Sequence, residues 1–371
     1  MNGLTPSDKI ALLTSGGDAP GMNAALRAAA KVGVAMGFEV VGIEDGYVGL
    51  MEGRVVPLDL RALDEAARRG GTMLGSARSK VFPTAEGQAH ARAVILRENI
   101  AGLVVIGGNG SLTGARTLLH AMSAKGALRV VGIPASIDND LACTTMAIGV
   151  DTAMNTIVEA CDRIADTASA HRRTFLVEVM GRDCGYLAMT SAVAAGADAV
   201  LVPEVGQTEE QVIANVVEMM IEAYTKNTGK RRVLIIKSEG VKIDSAQLKA
   251  RIEQQVSQKL KDVDTRVTVL GHVVRGGTPS AFDRLLAARL AHGAMRALVD
   301  GHTDVMAGWI GPGAMPGPGP DDSKLSPHDP YVVLTPLARV LSETDKLMSG
   351  ESPVAQWRRK IVREIEPILS R

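Results

Sequence analysis

VVIGGNGSLTGA, Val104 to Ala115, decides how this chain is read. A β-branched apolar run passes into Gly107 and Gly108, then Asn109, then the opening of a helix. Backbone this bare at the end of a strand lets peptide N–H groups approach an anion closely. The helix that follows adds free N–H groups and the positive end of its dipole. Two further glycine-rich stretches stand in the N-terminal half, TSGGDAPGMNAALRA (Thr14–Ala28) and GGTMLGSAR (Gly70–Arg78). Read as three turns that each follow a strand, they imply a cradle for a polyphosphate. Any α/β protein has glycine-rich turns after its strands, but three in one half, one of them ending in Arg78, weigh against chain reversal alone. No GxxxxGK[ST] occurs and no strict GxGxxG follows the first strand. These absences argue against a P-loop protein and a dinucleotide fold of the usual kind.

Outward from this stretch the same alternation recurs. Candidate strands are Ile10–Leu13, Glu39–Ile43, Leu103–Ile106, Val130–Ile133, Thr174–Val179, Val200–Val202, Val233–Ile236 and Val267–Leu270. Between them lie amphipathic stretches. One begins near Asp151, with Met154, Ile157, Val158, Cys161, Ile164 and Ala165 spaced by three and four; another spans Ala281 to Val299, with Leu285, Leu286, Leu290 and Met295 on its apolar side. Strand, turn and helix in alternation define an α/β fold with mainly parallel sheets covered on both faces. Ligands in such sheets sit beyond the carboxyl ends of the strands. Gly311 to Pro330 is too rich in Gly and Pro to form an element and reads as a loop.

At 371 residues the chain suggests about two domains at roughly 150 residues each. Lys+Arg and Asp+Glu both number 41, and aromatic residues are 3%. A neutral, aromatic-poor chain argues against nucleic acid as a partner. Cys143, Cys161 and Cys184 lack CxxC spacing and read as reduced thiols. The N-terminus shows no secretory pattern, and no uncharged apolar stretch is long enough for a bilayer. The expectation is a cytoplasmic protein with no membrane partner.

IPASIDNDL (Ile133–Leu141) sets Asp138 and Asp140 around Asn139 directly after a strand. Phosphoryl transfer to an alcohol needs a base for the hydroxyl proton and carboxylate help in placing magnesium. Two acids at a strand's carboxyl end can divide those roles, although a pair of turn acids serves a local capping role as readily. Further on, HRRTFLVEVMGRDCGY carries Arg173 and Arg182 at the two ends of a strand, and TRVTVLGHVVRGGTPS carries Arg266, His272 and Arg275. The planar fork of arginine suits phosphate oxygens.

SGGDAPGMNAALR, GGTMLGSAR, IGGNGSLTGA, IDND, HRRTF, EVMGR and GHVVRGG, in this order from about Lys9 to Arg289, resemble the motifs of the 6-phosphofructokinases. The resemblance implies two Rossmann-like three-layer domains: residues 1–149 plus about 275–325 for the nucleotide, and about 150–274 plus 326–371 for the sugar phosphate. It implies transfer of a phosphoryl group to the 1-hydroxyl of fructose 6-phosphate, giving fructose 1,6-bisphosphate, in glycolysis. Asp138 then matches the general base, Asp140 its carboxylate partner near the metal, and Ser136 holds the transferring phosphoryl where the family usually has threonine. Arg78 and Arg182 match the cations that neutralise that group. Nucleotide contacts fall on Gly17, Tyr47, Arg78, Ser79, Gly108, Asn109, Gly110, Ser111 and Gly114. Sugar-phosphate contacts fall on Ser136, Asp138, Arg173, Met180, Gly181, Arg182, Glu239, Arg266, His272 and Arg275. In the family the counterparts of Arg173 and Arg266 reach in from a neighbouring subunit, which implies a homotetramer, or a dimer.

The resemblance further implies ATP as co-substrate and Mg2+ at Asn109, Asp138 and Asp140. Pyrophosphate users place GGDD in the third turn and a lysine two residues before the isoleucine of IDND; here Gly110 and Ala135 leave that space open, favouring ATP. Asn109 departs from the family's aspartate. An amide can ligate through its carbonyl oxygen but brings no charge to a hard cation, so a catalytically impaired regulatory subunit is the alternative it raises. Arg27, Lys31, Asp198, Lys230 and Arg232 fall at or near effector positions of compact bacterial relatives, whereas Leu60 and Ala165 replace basic residues there.

Overall fold

A computed structural model describes all residues except 1–3, 6–7, 123–127, 172, 226–231, 261–262, 312–322 and 370–371. In chain order the elements begin with β1 (Lys9–Ser15), α1 (Met22–Ala35), β2 (Glu39–Ile43), α2 (Gly46–Glu52), β3 (Val55–Pro57) and α3 (Leu60–Ala66). Then come α4 (Ala85–Arg97), β4 (Ile100–Gly107), α5 (Asn109–Met122), β5 (Arg129–Pro134) and α6 (Val150–His171). They continue through β6 (Thr174–Val179), α7 (Tyr186–Ala194), β7 (Ala199–Leu201), α8 (Glu209–Thr225), β8 (Val233–Ser238), α9 (Ser245–Val256) and β9 (Thr265–Val269). The last are α10 (Ala281–Val299), β10 (Val305–Trp309), β11 (Lys324–Ser326), β12 (Asp329–Pro336), α11 (Leu337–Ser349) and α12 (Pro353–Leu369).

Two units result, Met1–Thr152 with Arg275–Asp345, and Ala153–Val274 with Lys346–Arg371. The first holds one sheet in the order β11-β12-β10-β5-β4-β1-β2-β3. β10, β5, β4, β1 and β2 run parallel; β3, β12 and β11 join antiparallel. Central strands such as KIALLTS are apolar on both faces because helices cover both. α1, α3 and α10 pack together on one side, while α2, α4 and α5 form a group on the other. Ala11, Leu13, Leu103 and Val105 point into the core under that second group. The second unit is a parallel sheet in the order β7-β8-β6-β9. Leu176, Val233 and Ile235 bury one face under Val216 and Met220 of α8 and Leu248 and Ile252 of α9. Both units are thus the three-layer α/β architecture expected.

Several expectations shift. Gly70–Arg78 follows helix α3, not a strand. Leu285, assigned to the apolar side of α10, is 55% exposed, whereas Leu286, Leu290 and Met295 are buried. The Gly/Pro-rich segment is not all loop: its 312–322 portion lies outside the described residues, but Lys324–Ser326 and Asp329 onward form β11 and the start of β12. β12 pairs with β10, so residues 326–345 belong to the first unit rather than the second. The chain crosses between units after Thr152, Val274 and Asp345. Among the described residues no helix is long and apolar enough to cross a membrane.

Candidate active site

β5 ends beside β4, and the chain beyond it is held open in an extended loop. Ala135 N–H donates to the Gly107 carbonyl at 3.1 Å, and Ser136 N–H to the Ile148 carbonyl at 3.2 Å. Asn139 takes φ of 49°, a left-handed conformation asparagine tolerates. Its side chain fixes the loop from within: Nδ2 donates to the Thr145 carbonyl and Oδ1 accepts from Ala147 N–H. The flanking acids are thereby presented in fixed positions, Asp138 2% and Asp140 8% exposed. Ser136 Oγ joins them, donating to Asp140 Oδ1 at 3.0 Å and accepting from Asp138 N–H at 3.3 Å.

The opening stretch lies next door. α5 starts at Asn109, immediately after Gly107 and Gly108. A Cβ on Gly107 would stand 2.4 Å from the Ser15 carbonyl, so the two parallel strand ends approach closer than any other residue allows. A Cβ on Gly108 would lie 3.8 Å from both the Ala135 carbonyl and Ser136 Cβ, which sets this turn against the Asp138 loop. Gly110 is exposed, and a Cβ there would meet nothing within 4 Å. Asn109 Oδ1 and Ser111 Oγ are buried without a hydrogen-bond partner among the described residues. Tyr47, 5% exposed, donates from its hydroxyl to the Ser111 carbonyl at 2.6 Å and stacks on Phe82. Burial drives the tyrosine pKa far up, so the hydroxyl stays a donor. Tyr47 braces α5 from below, and Gly114 gives its ring room, since a Cβ there would fall 2.7 Å from the ring.

The turn after β1 is the third wall. Gly16 takes φ of +86° and Gly21, at the start of α1, takes φ of +106°. No side chain caps α1. A Cβ on Gly17 would stand 2.6 Å from Arg275 Nη1, and that nitrogen donates to the Asp18 carbonyl at 3.3 Å. Arg275 Nη2 lies 4.0 Å from Asp138 Oδ2. Expected among the sugar-phosphate residues, Arg275 is the first residue of the returning chain and sits with Gly17 and Asp138 in the first unit. Gly70–Arg78 drapes over the same turn: Ser76 donates to the Gly16 carbonyl, Thr14 Oγ1 to the Gly75 carbonyl, and Asn23 grips the carbonyls of Arg69 and Gly70 and the N–H of Met73. Arg78 at its end is exposed. Ser79 Oγ accepts from the N–H groups of Val81 and Phe82.

In the second unit, Met180, Gly181 and Arg182 follow the carboxyl end of β6. Gly181 and Arg182 have φ of 150° and 53°, and Glu239 beyond β8 ties their turn down, Oε1 accepting from Gly181 N–H at 3.1 Å and Arg182 N–H at 2.7 Å. His272 is exposed beyond β9. Arg173 and Arg266 are elsewhere. Both belong to the amino ends of β6 and β9 and converge on Asp264, with Arg173 Nε at 2.7 Å and Arg266 Nη2 at 2.9 Å. Desolvation raises the Asp264 carboxyl, but hydrogen bonds from Arg266 and Arg173 and the charge of both outweigh it and hold it below its usual range. A six-residue strand at about 3.3 Å per residue puts roughly 20 Å between these arginines and Arg182. Within the second unit, the residues expected around the sugar phosphate form two groups at opposite ends of its sheet.

Of the effector positions, Arg27 and Lys31 both pair with Asp64, at 2.5 and 2.6 Å. Buried Asp198 accepts from Leu234 N–H. Lys230 lies outside the described residues. Sequence reading missed Asn23, Asn139 and Asp283. Only the nearness of Asn23 to Gly21 and of Asn139 to two aspartates could have pointed to the first two.

In sequence and fold the chain is similar to known phosphofructokinases. The family model for phosphofructokinase matches residues 9–298. An ATP-dependent 6-phosphofructokinase of Natranaerobius thermophilus is 45% identical over 300 residues, covering 81% of this chain and 89% of that one. One of Thermotoga petrophila is 46% identical over 299 residues, 80% and 88% of the two chains. The solved phosphofructokinase of Saccharomyces cerevisiae superposes with a TM-score of 0.79 at 30% identity, covering 98% of this chain but 48% of that longer one. The chain belongs to the phosphofructokinase family.

Proposed function

We propose that the chain transfers the terminal phosphoryl group of ATP to the 1-hydroxyl of fructose 6-phosphate, giving fructose 1,6-bisphosphate. The observation that carries this reading is Asp138: a 2%-exposed carboxylate on a braced loop at the carboxyl end of β5, facing a guanidinium and beside two glycine turns that open helices. Asp138 takes the proton of the attacking hydroxyl. Ser136, bonded to Asp140, places an oxygen donor beside the transferring group. The uncapped start of α1 and the first turn of α5 receive the nucleotide phosphates. Arg78 and Arg182, both exposed and without an ion-pair partner among the described residues, neutralise charge that grows on the phosphoryl oxygens. The first unit is read as the nucleotide-binding one and the second as the sugar-phosphate-binding one. ATP rather than pyrophosphate is supported by open space at Gly110 and by the small Ala135, which leave room for the rest of a nucleotide.

Among the described residues no group of three His, Cys, Asp or Glu could hold a metal by itself. Magnesium asks for less: one or two carboxylates, phosphate oxygens and water. The orphaned Oδ1 of Asn109, with Asp138 and Asp140, fits that sparse demand. Bound there with the donor's phosphates, the ion would offset their charge. The separation of Arg173 and Arg266 from Arg182 supports a homo-oligomer in which that pair serves a neighbouring copy's sugar phosphate. A coupled assay offering ATP and pyrophosphate in turn tests the reaction. Turnover with ATP and fructose 6-phosphate is expected; turnover with pyrophosphate alone, or with neither, overturns the reading.

A further inference from the structure

The second unit contains a cavity of about 500 Å³ that no step above uses. The end of α11, Leu347 to Ser349, and Gly350 after it form one wall together with Ala355, Arg358 and Arg359 of α12. Asp183, Cys184 and the segment Pro203–Gly206 form the other. Half of the lining therefore comes from residues beyond the 9–298 span of the family match. The walls differ in charge. Arg358 is 7% exposed; its guanidinium lies over the Tyr186 ring and Nη1 donates to Cys184 Sγ at 2.9 Å. Arg359 donates from Nη2 to the Gly350 carbonyl at 2.9 Å, while its buried Nε has no partner among the described residues. Opposite, Glu204 accepts from Gly185 N–H at 2.8 Å through Oε1, and its buried Oε2 has no partner either. Asp183 is exposed at the rim and carries no ion pair among the described residues.

Buried polar groups are ordinarily hydrogen-bonded. Here one donor and one acceptor are left over in the walls of a single cavity of ligand size. Two adjacent arginines and the start of α12, where Ser352 Oγ accepts from Ala355 N–H, favour an anionic head. The carboxylates across from them accept from hydroxyls and repel a second anionic end. A bare polyphosphate meets that repulsion, and an uncharged sugar brings no charge to answer the partnerless Nε of Arg359. We infer that this cavity is a second ligand site for a small polyol phosphate, its phosphate on Arg358 and Arg359 and its hydroxyls on Glu204 and Asp183. Asp183 and Cys184 directly follow Arg182, so the occupant bears on the turn that presents that cation. Binding stands apart from the proposed reaction, and only an effect on turnover rests on it.

Calorimetric titration of the full chain saturated with fructose 6-phosphate tests the site, with glycerol 3-phosphate, inorganic phosphate and glycerol as separate probes. Glycerol 3-phosphate is expected to bind, inorganic phosphate to bind more weakly, and glycerol not at all. Arg359→Gln and Glu204→Gln should each weaken glycerol 3-phosphate about tenfold or more, with the unfolding temperature of the free chain unchanged. Should either variant unfold early, Val205→Trp fills the cavity without altering a charge and should abolish binding. No binding by glycerol 3-phosphate, unchanged affinity in the variants, or displacement by fructose 6-phosphate overturns the assignment. Failure of turnover with ATP, measured separately, would leave the binding result standing.

Discussion

Asp283, in the first turn of α10 and fully buried, holds the floor of the Asp138 loop in place. Its carboxylate accepts from Gly149 N–H at 2.8 Å, Thr152 N–H at 2.8 Å and Thr152 Oγ1 at 2.5 Å. The neighbouring Ile148 donates to the Pro134 carbonyl and accepts from Ser136 N–H, so the chain behind Asp138 hangs on this acceptor. Asp283→Ala strands three buried donors at about 1–3 kcal/mol each. The sum, roughly 3–9 kcal/mol, is a large part of the 5–15 kcal/mol typical of a folded chain. Asp283→Asn keeps one oxygen acceptor and should cost about 1–3 kcal/mol. The pH dependence has a definite sign. Burial raises the Asp283 pKa, against the opposing hydrogen bonds from Thr152 and Gly149. Folding therefore favours the protonated acid. Its contribution is complete below the unfolded pKa, about 3.9, and is lost as pH rises through the raised folded value. The penalty of Asp283→Asn relative to the parent should accordingly shrink from mildly acidic to neutral pH. Urea unfolding across that range, with turnover measured in parallel, reads both effects. A cost below about 1 kcal/mol for Asp283→Ala, or an Asn penalty that grows with pH, would refute the reasoning.

Asp138→Ala should abolish turnover while leaving fructose 6-phosphate affinity within about tenfold, measured by equilibrium titration; near-normal turnover would remove Asp138 from the role of base. Asn109→Asp places a carboxylate at the start of α5, where the helix dipole favours it by about 0.3–1 kcal/mol, and should lower the magnesium concentration needed both for half-maximal turnover and for half-maximal thermal stabilisation. Unchanged magnesium dependence in both readouts would place the metal elsewhere. Arg173→Ala and Arg182→Ala should each be inactive alone but regain part of the activity when subunits are dissociated and reassembled together, because a mixed interface then contains one intact pair of sheet ends. Failure of mixed assemblies to recover turnover, with assembly verified by sedimentation, would put both arginines to work within one chain.

Much of both sheets is legible because their inner strands are covered on both faces. Glu39–Ile43 and Thr174–Val179 read as strands from composition alone, and their bounds are those of β2 and β6. β10 and β12 escaped notice. Neither is a long β-branched run, and β12 enters antiparallel after a stretch whose glycines and prolines look like loop. That pairing brings residues 326–345 to the first unit. Leu285 shows the limit of helical periodicity, because a position on the edge of an apolar stripe needs a neighbour to bury it.

The sequence by itself carried the candidate groups: glycines that clear the backbone, arginines spaced along strand ends, and two aspartates around an asparagine. These are local demands, written in residue type and adjacency. Tertiary structure alone decided which groups share a place. Arg275 is brought against Gly17 and Asp138 by the returning chain. Arg173 and Arg182, only nine positions apart in the sequence, are carried to opposite ends of one sheet, since an extended strand separates its two ends by its whole length. Asp283 reaches the loop it supports from 134 residues beyond Gly149. Spacing along a chain fixes position within an element, whereas proximity between elements depends on how sheets and helices pack.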